Sequence, residues 1–388
     1  MIFIGIDISK YKHDCFVIDD QSGEAIPSFS FENTSEGFQT LLSVLSRFDK
    51  NKVRIGFEAT GHYGLNLKLF LEKIGYSFME LNPVLISKFI KSQTLRRTKT
   101  DKLDAAFIAS YLTTVDYKPY PPLLYHTFSL KSLTRFRDRL VRQRSGYMVR
   151  ITNVLDCIFP EFKPFFANKF SVTALYILAN YPSPEKIANM NTRSYDSLRR
   201  ISRGHFSMDK FVKLKYLAKN TVGKCNEIMQ YELETLLELY SQLDSKINET
   251  ETKICELIRH IDPPLLSIKG IGEISAAVIV AEYGDISRFS SPAKMLSFAG
   301  LEPGYFQSGT SEHCGKMVKR GSSHLRYTIL NCCSAVILHN EVFAEYYYKK
   351  ISEGKSHSVA KSHVAKKLIR LIFTLETTHT RFDPSKLR

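Results

Sequence analysis

Short apolar runs and helically spaced apolar residues alternate along the first 120 residues. Residues 3–6 are an apolar run and residues 14–19 alternate, which predicts two strands joined by a tight connection, with a third strand at 28–31. Helical spacing over 35–49, after Thr34 or Ser35 as an N-cap, predicts a helix, and 53–57 predicts a buried strand. A helix at 64–74, a strand at 76–81 and helices at 84–92 and 101–113 follow. The pattern therefore predicts an α/β domain.

Three hairpin strands followed by alternating helices and strands are the order of an RNase H-like sheet. Prolines in residues 117–125 predict a linker that leaves this domain. Beyond it, apolar residues at 3/4/7 spacing predict one long helix over 130–158, whereas 161–225 mixes short helical patterns with loops. Heptads over 226–258 predict a coiled-coil or bundle helix, which pairs either with 130–158 or with another protomer. A compact, mostly helical C-terminal domain is expected from about 265 to 376.

The overall charge indicates a polyanionic partner. The formal net charge is +15 and the pI is near 9.3, and binding to phosphates releases condensed counterions. Seven scattered cysteines include no CxxC pair, so we expect reduced, buried thiols. The first residues resemble a strand rather than a leader, and no apolar stretch approaches the ~18 residues of a membrane span. We therefore expect a cytoplasmic protein with no membrane partner.

Four carboxylates occupy positions suited to one site. Asp7 and Glu58 follow predicted strands, while Asp101 and Asp104 lie three residues apart at the start of a predicted helix and so share one face. If the first and fourth strands are neighbours, the strand-end acids project side by side. Crowded carboxylates repel one another, so they favour a hard cation such as Mg²⁺ or Mn²⁺. Two such ions, about 4 Å apart, suit phosphodiester chemistry.

Each acid also has an ordinary structural interpretation. Asp7 and Glu58 could cap turns, Asp101 could N-cap its helix, and Asp104 could be favoured by the helix dipole. For any single residue this interpretation is the stronger one, because an isolated motif match is weak evidence. The four residues in strand-end, strand-end, helix-start order are a more specific combination.

Basic residues cluster in two places in the first half of the chain. Residues 129–150 contain one acid, Asp138, and seven basic residues, which predict a basic ridge on one helix for a nucleic-acid backbone: Lys131, Arg135, Arg137, Arg139, Arg142, Arg144 and Arg150. A second cluster beside the helix-start acids should guide phosphates towards the site: Arg96, Arg97, Lys99 and Lys102.

A Gly-x-Gly turn in the C-terminal half predicts a helix-hairpin-helix-like motif. Gly270 and Gly272 separate two predicted helices, and Lys269 precedes them. Such a turn can direct backbone N–H groups at a phosphate without reading base sequence. An ordinary turn between two helices, with glycine at a positive φ angle, explains the motif equally well.

Several of these motifs resemble a known family. The sequence resembles the DEDD transposases of bacterial insertion sequences, the family numbered one-hundred-and-ten, which is related to the pilin-gene invertases. The resemblance is carried by Gly5-Ile-Asp7-Ile-Ser-Lys10, Phe57-Glu58-Ala-Thr-Gly-His-Tyr63, Arg97-Thr-Lys-Thr-Asp101-Lys-Leu-Asp104-Ala, Phe298-Ala-Gly300-Leu-Glu-Pro303-Gly304-Tyr-Phe-Gln-Ser308-Gly309-Thr310, and Lys316-Met-Val-Lys319-Arg320-Gly321-Ser-Ser-His324-Leu-Arg326.

This resemblance implies a domain order and an activity. It implies a RuvC-like DEDD catalytic domain at 1–120, a helical coiled-coil region at 121–262 and a C-terminal transposase domain at 263–388. The four acids would be catalytic metal ligands, and Ser308 would be the nucleophile that joins a DNA phosphate, although Ser311 and Ser322 are nearby hydroxyls. Lys319, Arg320 and Arg326 would clamp phosphates. The implied partners are donor and target DNA, a bridge RNA that pairs with both, and further copies of the chain as a dimer or tetramer.

Three other functions share some of these sequence features. A RuvC-like junction-resolving or structure-selective nuclease would need the acids but not Ser308. An actin- or sugar-kinase-like ATPase also begins with Gly-Ile-Asp, but the hairpin offers Ser9-Lys-Tyr rather than a glycine-rich phosphate turn. A non-catalytic nucleic-acid-binding protein would not need all four acids.

Overall fold

The fold was derived from a computed structural model, which describes residues 1–20, 25–59, 61–93, 100–120, 125–308 and 311–387. The chain divides into two compact units, Met1–Tyr125 and His126–Arg388. The first is α/β and the second is mainly helical. The predicted combination of an N-terminal sheet with a helical C-terminal region is confirmed.

The first unit is built on a five-stranded sheet in the order β3-β2-β1-β4-β5. Strands β1, β2 and β3 are antiparallel neighbours, whereas β1, β4 and β5 run parallel. Thr34 caps α1 by accepting a hydrogen bond from the Gly37 amide. The bounds are β1 Ile2–Ile8, β2 Lys12–Asp19, β3 Ala25–Glu32, α1 Ser35–Leu45, β4 Val53–Glu58, α2 Leu65–Lys73, β5 Phe78–Leu81, α3 Pro83–Gln93 and α4 Asp101–Thr114.

The segment predicted to leave this unit instead begins by packing against its sheet. The Tyr117 hydroxyl donates to the Ile55 carbonyl at 3.2 Å, and the Tyr120 amide donates to the Phe78 carbonyl at 2.6 Å. Its aromatic rings explain the difference, because they gain burial on the sheet, with Tyr120 stacked on Phe78. Residues 121–124 of the predicted linker lie outside the described residues.

Helices dominate the second unit. The segment 161–225, whose pattern was hard to interpret, contains the five short helices α6–α10, most of which begin at a Ser or Asn cap. The bounds are α5 Tyr125–Ile158, α6 Phe162–Phe165, α7 Val172–Asn180, α8 Pro184–Ala188, α9 Thr192–Ile201, α10 Met208–Lys219, α11 Glu227–Ile261, α12 Glu273–Tyr283, α13 Pro292–Phe298, β6 Pro303–Ser308, β7 Ser311–Met317, α14 Ser323–His339, α15 Glu341–Ser352 and α16 His357–Thr378.

The two long helices α5 and α11 pair within the chain. Arg137 binds Glu251 and Arg144 binds Asp244. Residue numbers rise by seven along α5 while the numbers of their partners on α11 fall by seven. The helices are therefore antiparallel. The end of α5 shares a core with the start of α11, and the end of α11 packs in a second core with α12, α14 and α16.

The predicted helix before the Gly-x-Gly turn is only a 3₁₀ turn, Pro264–Ser267. Pro263 and Pro264 lie at its start, where a missing N–H is tolerated, and the backbone becomes extended at Ile268, which ends the element before Gly270. Gly270 has φ +103°, and a Cβ there would lie 2.6 Å from the Val336 backbone nitrogen. Glycine at this position is required by close packing on α14.

The cysteine prediction was wrong in part. In the described part of the chain the cysteines form no disulfide, but Cys157 and Cys225 are exposed rather than buried. Within the same residues, no helix is both long and apolar enough to span a bilayer.

Candidate active site

Asp7 and Glu58 lie at the same edge of the sheet. The parallel register between β1 and β4 pairs Gly5 with Gly56 and continues to Ile6 and Phe57, so Asp7 and Glu58 are the next residues of their strands. Side chains two apart on a strand share a face, which places both acids on the face of Gly5 and Gly56. Both acids are partly exposed.

Helix α4 lies on that face at very short range. A Cβ at Gly5 would be 2.2 Å from the Ala105 carbonyl oxygen, and one at Gly56 would be 2.8 Å from the Leu112 side chain. Gly5 therefore allows backbone contact between sheet and helix, and Gly56 makes room for the Leu112 side chain. Because Ala105 follows Asp104 directly, this contact brings the first turn of α4 to the end of β1.

The first turn of α4 carries the other two acids. Thr100 is the N-cap and accepts a hydrogen bond from the Leu103 amide at 3.3 Å. Asp101 is exposed and does not cap the helix, contrary to its ordinary structural interpretation, and Asp104 is partly buried. The predicted placement of both acids in the first helical turn is confirmed.

Electrostatics link the four acids. Burial, and then the charges of Asp104, Asp101, Glu58 and Asp14 in that order, raise the pKa of Asp7 to about 6. An all-oxygen donor set suits Mg²⁺ or Mn²⁺, and a bound cation would relieve this repulsion. Among the residues that the structure describes, however, no three or more acidic, histidine or cysteine side chains are arranged to hold a metal ion. The chemistry of the donors fits a cation, whereas the side chains do not form a closed set of ligands.

Asp14 is a fifth acid that the sequence pattern did not reveal. It lies directly opposite Asp7 across β1 and β2 and is 3% exposed. The Ser30 hydroxyl donates to its Oδ1 at 2.6 Å, and the Lys12 ammonium is 3.5 Å away. The tight β1–β2 hairpin was the available clue, because antiparallel pairing over a short connection sets Asp14 beside Asp7.

Ser308 is the last residue of β6 and pairs with Ser311, the first residue of β7. Gly309 and Thr310 lie outside the described residues. Ser322 has a structural role: it caps α14 by accepting from the Leu325 amide, and its hydroxyl donates to Glu282 at 2.9 Å. Ser322 is thus poorly available as a nucleophile, because its hydrogen is already donated.

The two predicted basic clusters differ in how far they can be located. Arg96, Arg97 and Lys99 lie outside the described residues, and Lys102 is exposed on α4. The ridge on α5 is largely neutralised by ion pairs: Arg135 with Glu282, Arg137 with Glu251, Arg142 with Asp138, and Arg144 with Asp244. Counting charges on α5 alone overlooked these acids, which come mostly from α11 and α12. Arg139 and Arg150 are exposed.

The predicted phosphate contacts of the C-terminal half are unevenly available. Lys269, Lys319 and Arg320 are exposed, but Arg326 donates to the carbonyls of Ala299 and Lys319 and so stabilises a turn. At the start of α12, after Gly272, the carboxylate of Glu273 is held by Arg259 at 2.5 and 2.9 Å. An acid therefore already occupies the first turn of this helix.

Comparisons with known proteins agree with this organisation. A sequence model of the DEDD transposases of IS110 elements, described as "Transposase", matches residues 4–160, and one described as "Transposase IS116/IS110/IS902 family" matches residues 262–348. The 44.8 kDa protein of insertion element IS116 from Streptomyces clavuligerus is 22% identical over 400 residues, which cover 99% of this chain and 96% of the relative.

Two further relatives are named for their functions. The pilin gene-inverting protein of Moraxella bovis is 23% identical over 390 residues, covering 98% of this chain and 97% of the relative. The transposase for insertion sequence element IS1328 of Yersinia enterocolitica is 23% identical over 317 residues, covering 81% and 80%. With both transposase domains present in order, the chain belongs to the IS110 family and is a DNA transposase or recombinase.

Proposed function

We propose that the protein excises and inserts an insertion sequence by divalent-metal-assisted strand exchange, with Ser308 as the nucleophile. The observation that carries the proposal is the electrostatic coupling of Asp7 to Asp104, Asp101 and Glu58 at one sheet edge. Membership of a DNA transposase family supplies DNA as the substrate.

The first unit is proposed to be RNase H-like, or more narrowly RuvC-like. Its strand order, with three antiparallel strands followed by two parallel ones, supports this assignment. The proposed division is a catalytic domain at 1–120, a helical coiled-coil region at 121–262 and a transposase domain at 263–388. The gap between the two matched family regions, 161–261, falls largely within the helical region.

The proposed site holds two divalent cations, Mg²⁺ or Mn²⁺. Their ligands would be Asp7, Glu58, Asp101 and Asp104. When bound, such ions polarise phosphate oxygens and stabilise charge on the attacking and leaving oxygens. The chain's own contribution is placement: the glycine contact with α4 fixes the helix-borne acids, and the β1–β4 register fixes the strand-borne acids.

Ser308 would act by covalent exchange. Its Oγ forms a bond to phosphorus as the bond from phosphorus to the departing DNA oxygen breaks, and the hydroxyl proton ends on that oxygen. The hydroxyl of a new strand then attacks the serine–DNA ester, which restores Ser308. No net oxidation or hydrolysis occurs, so phosphodiester bonds are exchanged rather than lost.

We further propose that a bridge RNA pairs with donor and target DNA and that the chain works as a dimer or tetramer. Delegation of sequence reading to base pairing removes the need for a base-reading module. Basic residues would contact the nucleic-acid backbones. Arg139, Lys269, Lys319 and Arg320 are exposed and Lys131 is partly exposed, and the proposal also includes Arg96, Arg97 and Lys99, which lie outside the described residues. Arg135, Arg142 and Arg326, which have protein partners, are weaker candidates.

Metal binding by the chain itself tests the acidic site. Mn²⁺ should raise the melting temperature of the wild-type protein and give a saturable electron-paramagnetic-resonance signal. Asp104→Asn should raise the Mn²⁺ concentration needed for each half-maximal effect by at least about tenfold. Asp116→Asn, at the other end of α4, is the matched control, because Asp116 is exposed and absent from the charges around Asp7. Equal Mn²⁺ affinity in both variants would refute the assignment, as would full strand exchange in excess chelator.

Protein-linked DNA tests the serine. The protein should be incubated with its flanking element RNA and both DNA substrates, and covalent adducts separated under denaturing conditions. Ser308→Ala should abolish the adduct and Ser311→Ala should retain it. The reverse pattern would move the nucleophile to Ser311. Exchanging the RNA loops should redirect insertion, and unchanged target choice would contradict RNA guidance.

A further inference from the structure

A second basic region occupies the last two long helices. Residues 346–370 contain seven basic side chains and one acid, Glu353. The family model that matches the C-terminal half ends at residue 348, so most of this region lies beyond it. Unlike the α5 ridge, it was not among the basic clusters that the sequence pattern drew attention to.

The basic residues form two stripes at helical spacing. On α16, His363, Lys366, Lys367 and Arg370 follow the i, i+3, i+4, i+7 pattern of one helical face. On α15, Tyr346, Lys349, Lys350 and Glu353 do the same. The opposite side of α16 is buried in the core through residues such as Val364, Leu368 and Ile372. The α16 stripe is therefore held in place by packing on the other side of its helix, and α15 is anchored by the buried Phe343 and by Tyr346, which packs against the same core.

The two stripes converge at one aromatic ring. The Lys350 ammonium lies 5.5 Å and the Lys367 ammonium 5.0 Å from the centre of the Tyr346 ring. The turn between the helices adds Lys355, and the Tyr347 hydroxyl is 2.7 Å from His357 Nδ1 across that turn. Burial, followed by the charges of Lys366, Lys350 and Lys355, lowers the pKa of His363, and the charge of Glu353 opposes this shift.

Acids neutralise this region only in part: Glu353 feels the charges of Lys350, Lys349 and Lys355, and Glu345 acts on Lys367. Among the described residues, the ion pair made by its basic side chains is Lys350 with Glu353 at 2.7 Å, and Lys349, Lys355, Lys361, Lys366 and Arg370 have no carboxylate within ion-pair distance. Lys349, Lys355 and Arg370 are exposed, and Tyr348 is 65% exposed beside them. A surface on which positive charges outnumber negative ones favours a polyanion.

We propose that the surface formed by Lys349, Lys355, Lys366 and Arg370 binds the phosphate backbone of double-stranded DNA without reading its sequence. Lysine predominates, and an ammonium binds phosphate as a point charge rather than as the planar fork that reads guanine. The inference rests on the proposed function only in taking DNA, rather than another polyanion, as the partner. It adds a contact surface distinct from the acids and from Ser308.

The test is the salt dependence of binding to a random-sequence DNA duplex by the full-length protein without divalent metal. Each lost phosphate contact lowers the slope of log K against log salt by about 0.9, so the triple variant Lys349→Gln, Lys355→Gln, Lys366→Gln should lose roughly two to three units. The control variant Lys246→Gln, Lys253→Gln, Lys294→Gln makes the same charge change on α11 and α13, and its slope should change by less than about half a unit.

Equal slopes for the two variants would overturn the proposal. A loss on an RNA duplex of the same length but none on DNA would overturn the assignment to DNA. If the triple variant does not fold, DNA should still protect Lys349, Lys355 and Lys366 of the wild type from acetylation more than Lys246, Lys253 and Lys294, and equal protection would overturn it. Because these measurements need neither metal nor strand exchange, failure of the proposed chemistry would leave their outcome intact.

Discussion

Helix α5 and the α15–α16 helices have the same composition of charge and opposite surroundings. Each region carries seven basic residues and one acid within 22–25 positions. On α5, four of the arginines bind carboxylates, one of them the nearly buried Glu282. On α15 and α16, the one ion pair among the described residues is internal to α15.

The difference shows that a run of basic residues has no fixed meaning until its neighbours are known. Three of the four acids that neutralise α5 are 100–147 residues away in sequence from the arginines they bind. Arg135 on α5 forms a planar, two-pronged contact with Glu282, a geometry that suits a structural ion pair, whereas Lys349 and Lys355 are exposed to solvent. The first region contributes to stability and the second is free to contribute to binding.

The largest expected effect comes from Glu282. Its carboxylate accepts hydrogen bonds from Arg135 at 2.7 and 3.0 Å and from the Ser322 hydroxyl, and its side chain is 1% exposed. Glu282→Gln should lower the free energy of unfolding by about 2–4 kcal/mol in urea titrations, somewhat less than a fully buried pair because Arg135 is half exposed. A loss below about 0.5 kcal/mol would mean that the ion pair of α5 adds no more stability than the basic residues of α15 and α16.

Acid should remove the same contribution. Burial raises the pKa of Glu282, but the Arg135 hydrogen bond, the charges of Lys131 and Arg135 and the Ser322 hydroxyl outweigh it, and the pKa is held below its usual value. Because the pKa is lower in the folded state, the ionised carboxylate stabilises the fold at pH values above its unfolded-state pKa of about 4.3. This stabilisation is lost as the pH falls through the folded-state pKa.

Urea titrations of the wild type and Glu282→Gln should therefore differ at pH 7 and converge as the pH falls below about 4. A difference that stays constant down to pH 3 would mean that the carboxylate charge is not what stabilises the protein.

A smaller effect is expected for the pair of Arg137 and Glu251, whose side chains are about one-third exposed. A double-mutant cycle with Arg137→Gln and Glu251→Gln should give a coupling energy of about 0.5–1 kcal/mol. Neither substitution should change the salt slope of DNA binding. A slope that falls by about one unit in Arg137→Gln would return this arginine to the binding surface.

The smallest effect on stability is expected in the α15–α16 region. Lys366→Gln should change the free energy of unfolding by less than about 0.5 kcal/mol, because Lys366 has no ion-pair partner among the described residues. The matched substitution on α5, Arg144→Gln, should cost more because it breaks the pair with Asp244. Equal costs would remove the contrast between the regions.

Local patterns predicted most of the elements because local chemistry determines them. Caps at Thr34, Thr100 and Asn226 begin three of the predicted helices, and the heptads of α11 match its buried residues, including Thr250, whose hydroxyl donates to the Lys246 carbonyl. The four acids were identified because each follows a strand or opens a helix.

The features that were missed depend mainly on how the elements pair with one another. Asp14 looks like one polar position of an alternating strand until the β1–β2 register sets it against Asp7. Glu282 lies in an apolar helical run, and its charge became meaningful only once Arg135 was found beside it. The 3₁₀ turn before Gly270 was overestimated because its apolar residues fit a helical face as well as a short turn.

The three long-range pairs of α5 also have a mechanical consequence. A helix of 34 residues is about 50 Å long, and Arg135, Arg137 and Arg144 fasten it to α12 and α11 at three points within three turns. Rotation of α5 about its own axis would separate all three pairs at once. The three ion pairs therefore oppose rotation of α5, and a force that twists this helix is transmitted to α11 and α12. Strand exchange, in which DNA ends must be moved while they are held, is a process that would use such stiffness.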